Sequence, residues 1–440
     1  TIRKGSKLLK VTPILQSNAL MKVQNERMEQ ERLKAHNNKR KKNFNSHKQT
    51  ISVPFGDIIS VDQREILNQI LQQNKMAFSA DKYDIGLIAG FRYKLNSTPG
   101  GKPWYQAPRR ISPKARPEIL KIFENELKYD LISESSSVYN IPLVLVRKPD
   151  DSYRICFDMR LANKQIEFER YPLPDMTSVF DQISDSISKA GKDSEIYISR
   201  FDLSSAYRQL EVFENDQHKM AFSFDGKQYQ NKRMLFGVTD APGVLCRLMN
   251  SIFRDNKNVY TYLDDIVCIS VGFDALKSDL INIFEKCRKF GLTLSPKKCV
   301  IGAKGIDLLG FHIDRNGISL IPNKIEKVLK LPTPKNKDHI RAVCAGFNFY
   351  RSFCPKLIVT LGPLFNLLKK NVQFKWDKKC EDAFQKAKSI LANYTKKVHR
   401  NHKLDLVLCC DVSGVGCGAA LHQRRDDGSL EPLGFFSKQF

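Results

Sequence analysis

The sequence has few acidic residues for its length and no apolar run long enough to span a membrane. Only 47 Asp and Glu residues oppose 72 Lys and Arg residues among 440, which gives a formal net charge of +25. A transmembrane helix needs about 20 consecutive, mostly apolar residues, and no secretory signal pattern is present. We therefore expect an intracellular protein without a membrane partner. The positive charge favours nucleic acid as its partner, with anionic surfaces or simple solubility as alternatives.

The cysteines lack the paired spacing of a disulfide framework or a zinc site. Eleven cysteines, an odd number, predict reduced thiols in a reducing compartment. Cys409 and Cys410 follow His399 and His402, but this spacing fits no standard zinc finger or knuckle. Because successive residues of a strand point to opposite faces, one metal could not use both cysteines easily. We interpret them as residues packed in the core.

The first fifty residues contain few aromatic residues and little negative charge. They hold 13 Lys and Arg residues against 3 Glu residues. This composition favours a solvated, partly disordered arm, and the alternative is a basic helix near residues 19–34 that contacts nucleic-acid phosphates. We interpret residues 1–56 as a basic arm or linker. Ordered structure is predicted to start at Ser60–Gln63, whose pattern is that of a helix capping box.

A cationic hairpin is predicted in the first half of the chain. Residues 141–148 form a buried strand that ends in two cations, and a turn at 149–152 leads into a second strand over 153–158. Lys148 and Arg154 therefore lie near one hairpin tip. Either they bind an anionic ligand, or they are solvated turn charges.

Two adjacent carboxylates, Asp264 and Asp265, lie between apolar and β-branched runs in VYTYLDDIVCIS, residues 259–270. The flanking pattern predicts two strands with Leu-Asp-Asp at the tip of a tight hairpin. Asp202 ends another predicted strand, residues 195–203. If these strands lie side by side in one antiparallel sheet, the three carboxylates form the kind of cluster that holds Mg²⁺ for phosphoryl transfer. The alternative is an ordinary Asp-rich turn.

Three segments resemble the palm motifs of reverse transcriptases in their order and approximate spacing. They are FDLSSAY at 201–207, MLFGVTDAP at 234–242 and YLDD at 262–265. They look most like those of gypsy-type (Metaviridae) LTR retrotransposons. Further blocks similar to that family are RYPLP at 170–174, LGFH at 309–312, PTPK at 332–335, FYRSF at 349–353, PLFNLL at 363–368 and DVS at 411–413. The resemblance runs from about residue 57 to the last residue.

The resemblance implies an α+β fold: a right-hand polymerase of fingers, palm and thumb with an antiparallel palm sheet, followed by a partial RNase H-like domain. Residues 57–320 would form the interleaved fingers and palm, residues 321–400 the thumb, and residues 401–440 the first part of the RNase H-like domain.

The same resemblance implies an RNA-directed DNA polymerase, a nucleotidyltransferase cut from a polyprotein. Its partners would be an RNA template, a DNA primer, an RNA–DNA hybrid and dNTPs, in cytoplasmic virus-like particles, and it could form a homodimer. Two other functions stay open. One is a non-catalytic structural subunit of an asymmetric reverse transcriptase dimer, and the other is a nucleic-acid-binding remnant of a decayed element.

Site residues follow from the resemblance by position. Asp202, Asp264 and Asp265 would be catalytic and hold two Mg²⁺ ions, with Mn²⁺ as an alternative. The residues implied to bind the dNTP are Lys148, Arg154, Ser205, Ala206, Tyr207 and Phe236. Tyr207 matches the steric gate, an aromatic ring that excludes a ribose 2′-hydroxyl. Leu309, Gly310 and Phe311 match the primer grip. Outside this resemblance, Tyr207 would be interpreted as a core residue and Gly310 as a turn.

The C-terminal strands resemble the first three strands of an RNase H fold, with Asp411 at the position of its first catalytic carboxylate. RNase H chemistry uses two metal ions held by about four carboxylates. The elements that would carry the other carboxylates follow these strands in the family and are not among the 440 residues. We therefore expect no hybrid-cleaving activity from these residues.

Overall fold

The chain folds into helices and sheets around two large cores and one smaller core. A computed structural model describes residues 27–41, 50–167, 170–191, 193–414 and 416–440. The helices are α1 (27–41), α2 (Val61–Gln73), α3 (Arg116–Lys128), α4 (Met176–Lys189), α5 (Ala241–Phe253), α6 (Phe273–Phe290), α7 (Pro322–Leu329), α8 (Lys337–Phe349), α9 (Leu357–Thr360), α10 (Gly362–Leu367) and α11 (Lys378–Ala392).

Short strands alternate with these helices. They are β1 (Arg92–Tyr93), β2 (Ile132–Glu134), β3 (Leu143–Arg147), β4 (Tyr153–Phe157), β5 (Ile196–Asp202), β6 (Glu211–Val212), β7 (Ala221–Phe224), β8 (Lys227–Asn231), β9 (Val259–Tyr262), β10 (Asp265–Val271), β11 (Val300–Ala303), β12 (Gly305–Leu308), β13 (Phe311–Asp314), β14 (Gly317–Leu320), β15 (Leu406–Ser413), β16 (Gly416–Arg424) and β17 (Leu430–Gln439). No helix within the described ranges is long and apolar enough to cross a membrane.

The central sheet has the strand order β11-β5-β10-β9, and all its pairs are antiparallel. Side chains alternate between its two faces along each strand, and each face is buried in a different core. Phe201 and Ile266 enter the first core, which also receives α2, α5 and α6. Ile198 and Val267 enter the second core, which receives α4, α8 and α11. The sheet therefore holds its end residues on a rigid support between two packed layers.

A separate group of elements surrounds the third core. The sheet β2-β8-β7, the hairpin β3–β4 and helix α3 share the third core around Phe123. Beyond the central sheet, β12-β13-β14 forms a small antiparallel sheet. Phe311 of that sheet stacks on Phe349 and Phe353, with ring centroids 5.0 and 5.2 Å away. This stack joins the small sheet to the end of α8 and the turn that follows it.

Several predicted local features are confirmed. Ser60 caps α2, and Gln63 completes the capping box from its side chain. The predicted hairpins at β3–β4 and β9–β10 are present. The C-terminal meander is also present, as the antiparallel sheet β15-β16-β17.

The interpretation of Cys409 and Cys410 as core residues is wrong. Both lie on β15 and both are exposed. β15 is an edge strand of its sheet, and its side chains from Leu408 to Ser413 are all exposed. The prediction of a strand here was correct, but the sequence alone does not show which faces of a strand are covered.

The interpretation of residues 1–56 as a solvated arm is also wrong in part. Residues 27–41 form α1, which packs against the rest of the described chain, and Ile51 and Val53 are buried in the first core. The guanidinium of Arg40 is buried and donates to Asp84 Oδ1 at 2.6 Å, Asp84 Oδ2 at 3.0 Å and Phe78 O at 2.8 Å. The buried side chain of Leu33 and the ion pair of Arg32 with Glu211 add to this anchor. These contacts join single residues to distant partners, so composition could not predict them. Residues 1–26 and 42–49 lie outside the described residues.

Replacing Arg40 with Met should destabilise the protein by about 3–5 kcal/mol, because Asp84 would stay buried without its cation. Chemical denaturation of the purified protein measures this. Arg27→Met removes an exposed ion pair on the same helix, 3.3 Å from Glu31, and should change stability by at most about 0.5 kcal/mol. A double variant with Asp84→Leu should recover much of the loss. Equal effects of Arg40→Met and Arg27→Met would contradict the assigned anchor.

Stability should also fall in mild acid because of His36 on α1. Burial, with the charges of Arg233 and Arg40, lowers the pKa of His36 from 6.5 to about 3. The folded protein keeps His36 neutral while the unfolded chain binds a proton below pH 6.5, so stability is lost as the pH falls from about 6.5 toward 3.

Between pH 7 and pH 5, this loss should amount to about 2 kcal/mol. His36→Gln keeps a donor for Ile85 O, which His36 Nε2 contacts at 3.1 Å, and should remove this part of the pH dependence. Denaturation at both pH values compares wild type, His36→Gln and the exposed-histidine control His339→Gln. The control should follow wild type. If His36→Gln also follows wild type, His36 does not cause the acid sensitivity.

Candidate active site

The three predicted carboxylates lie at one end of the central sheet. β9 and β10 are joined by the two-residue loop Leu263–Asp264, and Leu263 adopts a left-handed conformation with φ 54°. Asp265 is the direct register partner of Asp202 across β10 and β5. The backbone N–H of Leu203 donates to the Asp264 carbonyl at 3.2 Å. Asp202 and Asp265, which are 63 positions apart in sequence, are thus brought together by antiparallel pairing.

Asp202 and Asp265 share one face of the sheet, because register partners point the same way. Side chains in such pairs have Cβ atoms about 4.5–5.5 Å apart, and like charges directly opposite each other are destabilising. Two cations reduce this repulsion. Lys298 Nζ lies 3.1 Å from Asp202 Oδ2, and Arg200 Nε lies 3.4 Å from Asp265 Oδ1.

The electrostatic balance of these carboxylates still favours added positive charge. Burial raises the pKa of Asp265 to about 6; Arg200 opposes this rise, while Asp264 and Asp202 add to it. Burial also raises the pKa of Asp202, against the opposing effect of Lys298. The two native cations therefore do not fully compensate the carboxylates for their loss of water.

The donor set suits a divalent cation in its chemistry, but the side chains are not gathered around one point. Carboxylate oxygens are the ligands that Mg²⁺ prefers in proteins. Among the residues that the structure describes, no group of three or more His, Cys, Asp or Glu side chains is arranged to hold a metal ion. Asp202 faces Lys298 and Asp265 faces Arg200 instead. The backbone thus brings the three predicted residues together, but their side chains are not arranged around a metal ion.

Sequence reasoning missed Lys298 and Arg200. Arg200 lies two residues before Asp202 on β5, so both point to one face. That spacing was a usable signal. Lys298 lies in a short 3₁₀ turn, 96 residues after Asp202 in the sequence. No local sequence pattern predicts its contact with Asp202.

The predicted nucleotide-binding turn follows β5 directly. Ser205 takes a left-handed conformation with φ 50° and starts a 3₁₀ turn over Ala206–Gln209. Within it, the half-buried ring of Tyr207 meets Phe236 edge-on, with centroids 5.0 Å apart at 85°. Burial, and then the charge of Asp264, raises the pKa of the Tyr207 hydroxyl. The structure therefore brings Tyr207, Phe236 and Asp264 into one neighbourhood.

The two predicted finger cations lie on a different element. Lys148 directly follows β3 and donates its backbone N–H to Ser152 O at 2.8 Å, which closes the hairpin. Arg154 is exposed on β4, opposite Val146. The hairpin is therefore as predicted, while the role of these cations stays a prediction.

The predicted primer grip is the turn between β12 and β13. Leu309 and Gly310 both have positive φ, 49° and 97°, which fits a tight two-residue hairpin loop. A Cβ on Gly310 would lie 3.1 Å from Lys324 Nζ, so α7 approaches the turn closely. Phe311 is buried in the second core.

Asp411 lies on the exposed strand β15, 3.8 Å from Lys356 Nζ and with a largely exposed side chain. Within the described part of the chain, Asp411 belongs to no group of three or more His, Cys, Asp or Glu side chains arranged to hold a metal ion. The expectation that these residues do not cleave a hybrid stays a prediction.

Comparison with known sequences gives two family matches. Residues 146–313 match the family "Reverse transcriptase (RNA-dependent DNA polymerase)", and residues 376–440 match the "RNase H-like domain found in reverse transcriptase". The Tf2-3 transposon polyprotein of Schizosaccharomyces pombe is 29% identical over 313 residues, which are 71% of this chain and 23% of that polyprotein. The Pol polyprotein from transposon 412 of Drosophila melanogaster is 28% identical over 344 residues, 76% of this chain and 27% of that protein. The chain thus spans about a quarter of the length of these relatives.

Solved structures show the same fold. The foamy viral protease-reverse transcriptase in complex with dsDNA matches with a TM-score of 0.77 at 21% identity, over 87% of this chain and 78% of that chain. The same enzyme in complex with an RNA/DNA hybrid matches with a TM-score of 0.73 at 21% identity, over 87% and 50%. The predicted α+β polymerase fold with an RNase H-like segment is confirmed.

Proposed function

Because the chain belongs to the reverse transcriptases of gypsy-type LTR retrotransposons, we propose that it extends a DNA primer on RNA and DNA templates by metal-assisted nucleotidyl transfer. The observation that carries the proposal is the position of Asp202, Asp264 and Asp265 at one end of a doubly buried sheet. Two like charges opposite each other in a half-buried place have no structural benefit. Such paired carboxylates are useful at a site that binds a divalent cation next to the phosphates of a nucleic acid or nucleotide.

The proposed cofactor is Mg²⁺, as two ions, with Mn²⁺ as an alternative. Asp202, Asp264 and Asp265 would hold it, since the raised pKa values of Asp202 and Asp265 and the repulsion among the three carboxylates support a demand for positive charge. When bound, the metal supplies charge that stabilises the attacking primer oxygen and the phosphates. Lys298 and Arg200 would neutralise Asp202 and Asp265 when no metal is present.

The dNTP is proposed to lie between the fingers hairpin and the turn after β5. Lys148 and Arg154 would bind its triphosphate from the hairpin, as cations bind phosphates by charge and hydrogen bonds. The backbone N–H groups of Ser205 and Ala206 would donate to the same phosphates. Tyr207, backed by Phe236 at 5.0 Å, would lie under the sugar.

The nucleic-acid partners are proposed to be an RNA template, a DNA primer and their hybrid, handled within intracellular virus-like particles. The net charge of +25 supports affinity for a polyanion. Leu309, Gly310 and Phe311 would support the primer end, because their hairpin is fixed by the aromatic stack of Phe311 on Phe349.

Primer extension tests the proposal. A labelled DNA primer annealed to an RNA template, and separately to a DNA template, is incubated with the chain, Mg²⁺ and four dNTPs. We expect extension to the template end on both. Binding of the hybrid without extension would reject the polymerase function and favour the structural subunit of an asymmetric dimer. Extension that needs no template would reject templated synthesis.

A further inference from the structure

One buried side chain ties the nucleotide-binding turn to the central sheet. Gln209 ends the 3₁₀ turn that carries Tyr207 and is 0% exposed. Its Nε2 donates to Ser204 O and to Thr293 O, both at 2.8 Å, and its Oε1 accepts from Thr293 N–H at 2.9 Å. A glutamine amide has two donor hydrogens and one acceptor oxygen, so all its polar groups are used.

These bonds close a loop around the proposed dNTP-contacting residues. Ser204 N–H also donates to Thr293 O at 2.8 Å. Both ends of the 204–209 segment are therefore attached to Thr293, one by the backbone and one by Gln209. Between them lie Ser205, Ala206 and Tyr207. Within the turn, Arg208 N–H donates to Ser205 O and Leu210 N–H donates to Tyr207 O, while Gln209 O accepts from Ile88 N–H at 2.9 Å.

The attachment point is linked to the proposed catalytic carboxylates. Two residues after Thr293, Ser295 N–H donates to the backbone carbonyl of Asp202 at 2.8 Å. One short segment thus holds Asp202 and, through Gln209, the turn with Tyr207. This fixes the ring relative to the carboxylate.

Gly86 leaves the space that the amide of Gln209 occupies. A Cβ on Gly86 would lie 2.6 Å from Gln209 Oε1 and 2.3 Å from Thr293 Oγ1. Contacts under 3.0 Å are too close for real carbon atoms. A side chain at position 86 would therefore displace the Gln209 amide or Thr293.

We propose that Gln209 is a positioning residue that sets how tightly the polymerase selects deoxyribonucleotides. It acts through Tyr207 and the Ser205–Ala206 backbone, and it does not touch the nucleotide itself. Without it, the turn loses its side-chain attachment to Thr293 and keeps the backbone bonds from Ser204 N–H to Thr293 O and from Ile88 N–H to Gln209 O, so the ring can shift relative to the sugar. The loss of fixed geometry weakens dNTP binding and admits ribonucleotides. This inference rests on the proposed polymerase function.

The alternative is that Gln209 is a buried residue that only stabilises the fold and has no effect on nucleotide selection. Gln217 offers a matched control, because it is 7% exposed and its Nε2 donates to Val212 O at 3.1 Å. It lies in the neighbouring 3₁₀ turn, Glu214–Met220, and has no bond to the 204–209 segment in the contacts described. Met replaces either glutamine at similar volume while removing its hydrogen bonds.

Steady-state primer extension with dTTP and with UTP on a poly(rA) template compares wild type, Gln209→Met and Gln217→Met. Gln209→Met should raise KM for dTTP about tenfold, change kcat by no more than about threefold, and lower the preference for dTTP over UTP about tenfold. Gln217→Met should keep both values within about twofold of wild type, although both variants lower Tm. Equal selectivity of wild type and Gln209→Met would overturn the proposal. Wild type that fails to extend any primer instead rejects the proposed function.

Native-state hydrogen exchange gives a second measurement that does not depend on catalysis. In Gln209→Glu, which keeps the acceptor oxygen and loses the amide donors, the Arg208 and Leu210 N–H groups should exchange at least about tenfold faster. The N–H groups within α5 should keep their wild-type rates. Unchanged exchange at Arg208 and Leu210 would show that Gln209 does not hold the turn, and would overturn the proposal even if a variant were inactive.

Discussion

Asp264→Asn should lower the rate of nucleotide addition by about a thousandfold or more while the chain still binds its hybrid. The carboxylate at the tip of the β9–β10 hairpin lies beside the register pair of Asp202 and Asp265. Removing one of three negative charges weakens the hold on any divalent cation, and stabilisation of charge in the transition state is lost with it. Hybrid affinity should stay the same or rise, because a negative charge leaves a surface that binds a polyanion.

Single-turnover extension and fluorescence-based hybrid binding measure the two effects separately. Asp274→Asn is the matched control, since it makes the same charge change at the exposed start of α6, where Asp274 pairs with Lys277 at 2.7 Å. It should keep the wild-type rate within about twofold. An Asp264→Asn variant with a wild-type rate would remove the hairpin tip from the proposed chemistry. A variant that loses binding and rate together would point to a damaged fold instead.

Tyr207→Ala should lower discrimination against ribonucleotides by about ten- to a hundredfold. The Tyr207 ring is half buried against Phe236, and Tyr207 lies in the Ala206–Gln209 turn, which Gln209 attaches to Thr293. Forcing one additional polar atom into a well-packed space costs about 1–3 kcal/mol, which equals this range of discrimination. Removing the ring removes that cost, and kcat for dNTPs should fall less than the selectivity does.

Two further variants separate the ring from the hydroxyl and from its support. Tyr207→Phe keeps the ring and should keep discrimination within about twofold. Phe236→Ala removes the edge contact at 5.0 Å and should give an intermediate loss, because the ring becomes less confined. The ratio of kcat/KM for a dNTP and its matching rNTP measures each case. Discrimination in Tyr207→Ala equal to that of wild type would exclude the ring as the gate.

The backbone of the site could be predicted from sequence because its signals are local. The run VYTYLDDIVCIS contains both strands and the loop of the hairpin, so its tip follows from strand pattern and length. Asp202 follows an equally apolar strand. The pairing of β5 with β10 was predicted from the family resemblance, because FDLSSAY at 201–207 and YLDD at 262–265 occur in the order of the palm motifs. The structure confirms that pairing through the Asp202–Asp265 register.

The contacts that complete the site could not be predicted because they join distant residues by single polar bonds. Lys298 meets Asp202 across 96 residues, and Gln209 meets Thr293 across 84. Neither residue type is unusual in a surface turn, so its burial or pairing has no local signature. The same holds for the ion pair of Arg40 with Asp84. It helps to attach α1 to the rest of the chain, where the basic composition predicted a solvated arm.

Single-nucleotide addition tests the central claim most directly. The chain is bound to a primer on an RNA template whose next base is adenine, and Mg²⁺ is added with each of the four dNTPs in turn. The account predicts that wild type adds dTMP at least about a hundredfold faster than the other three, and that Asp264→Asn adds none on the same timescale. Hybrid that is bound but not extended by wild type with any dNTP would contradict it.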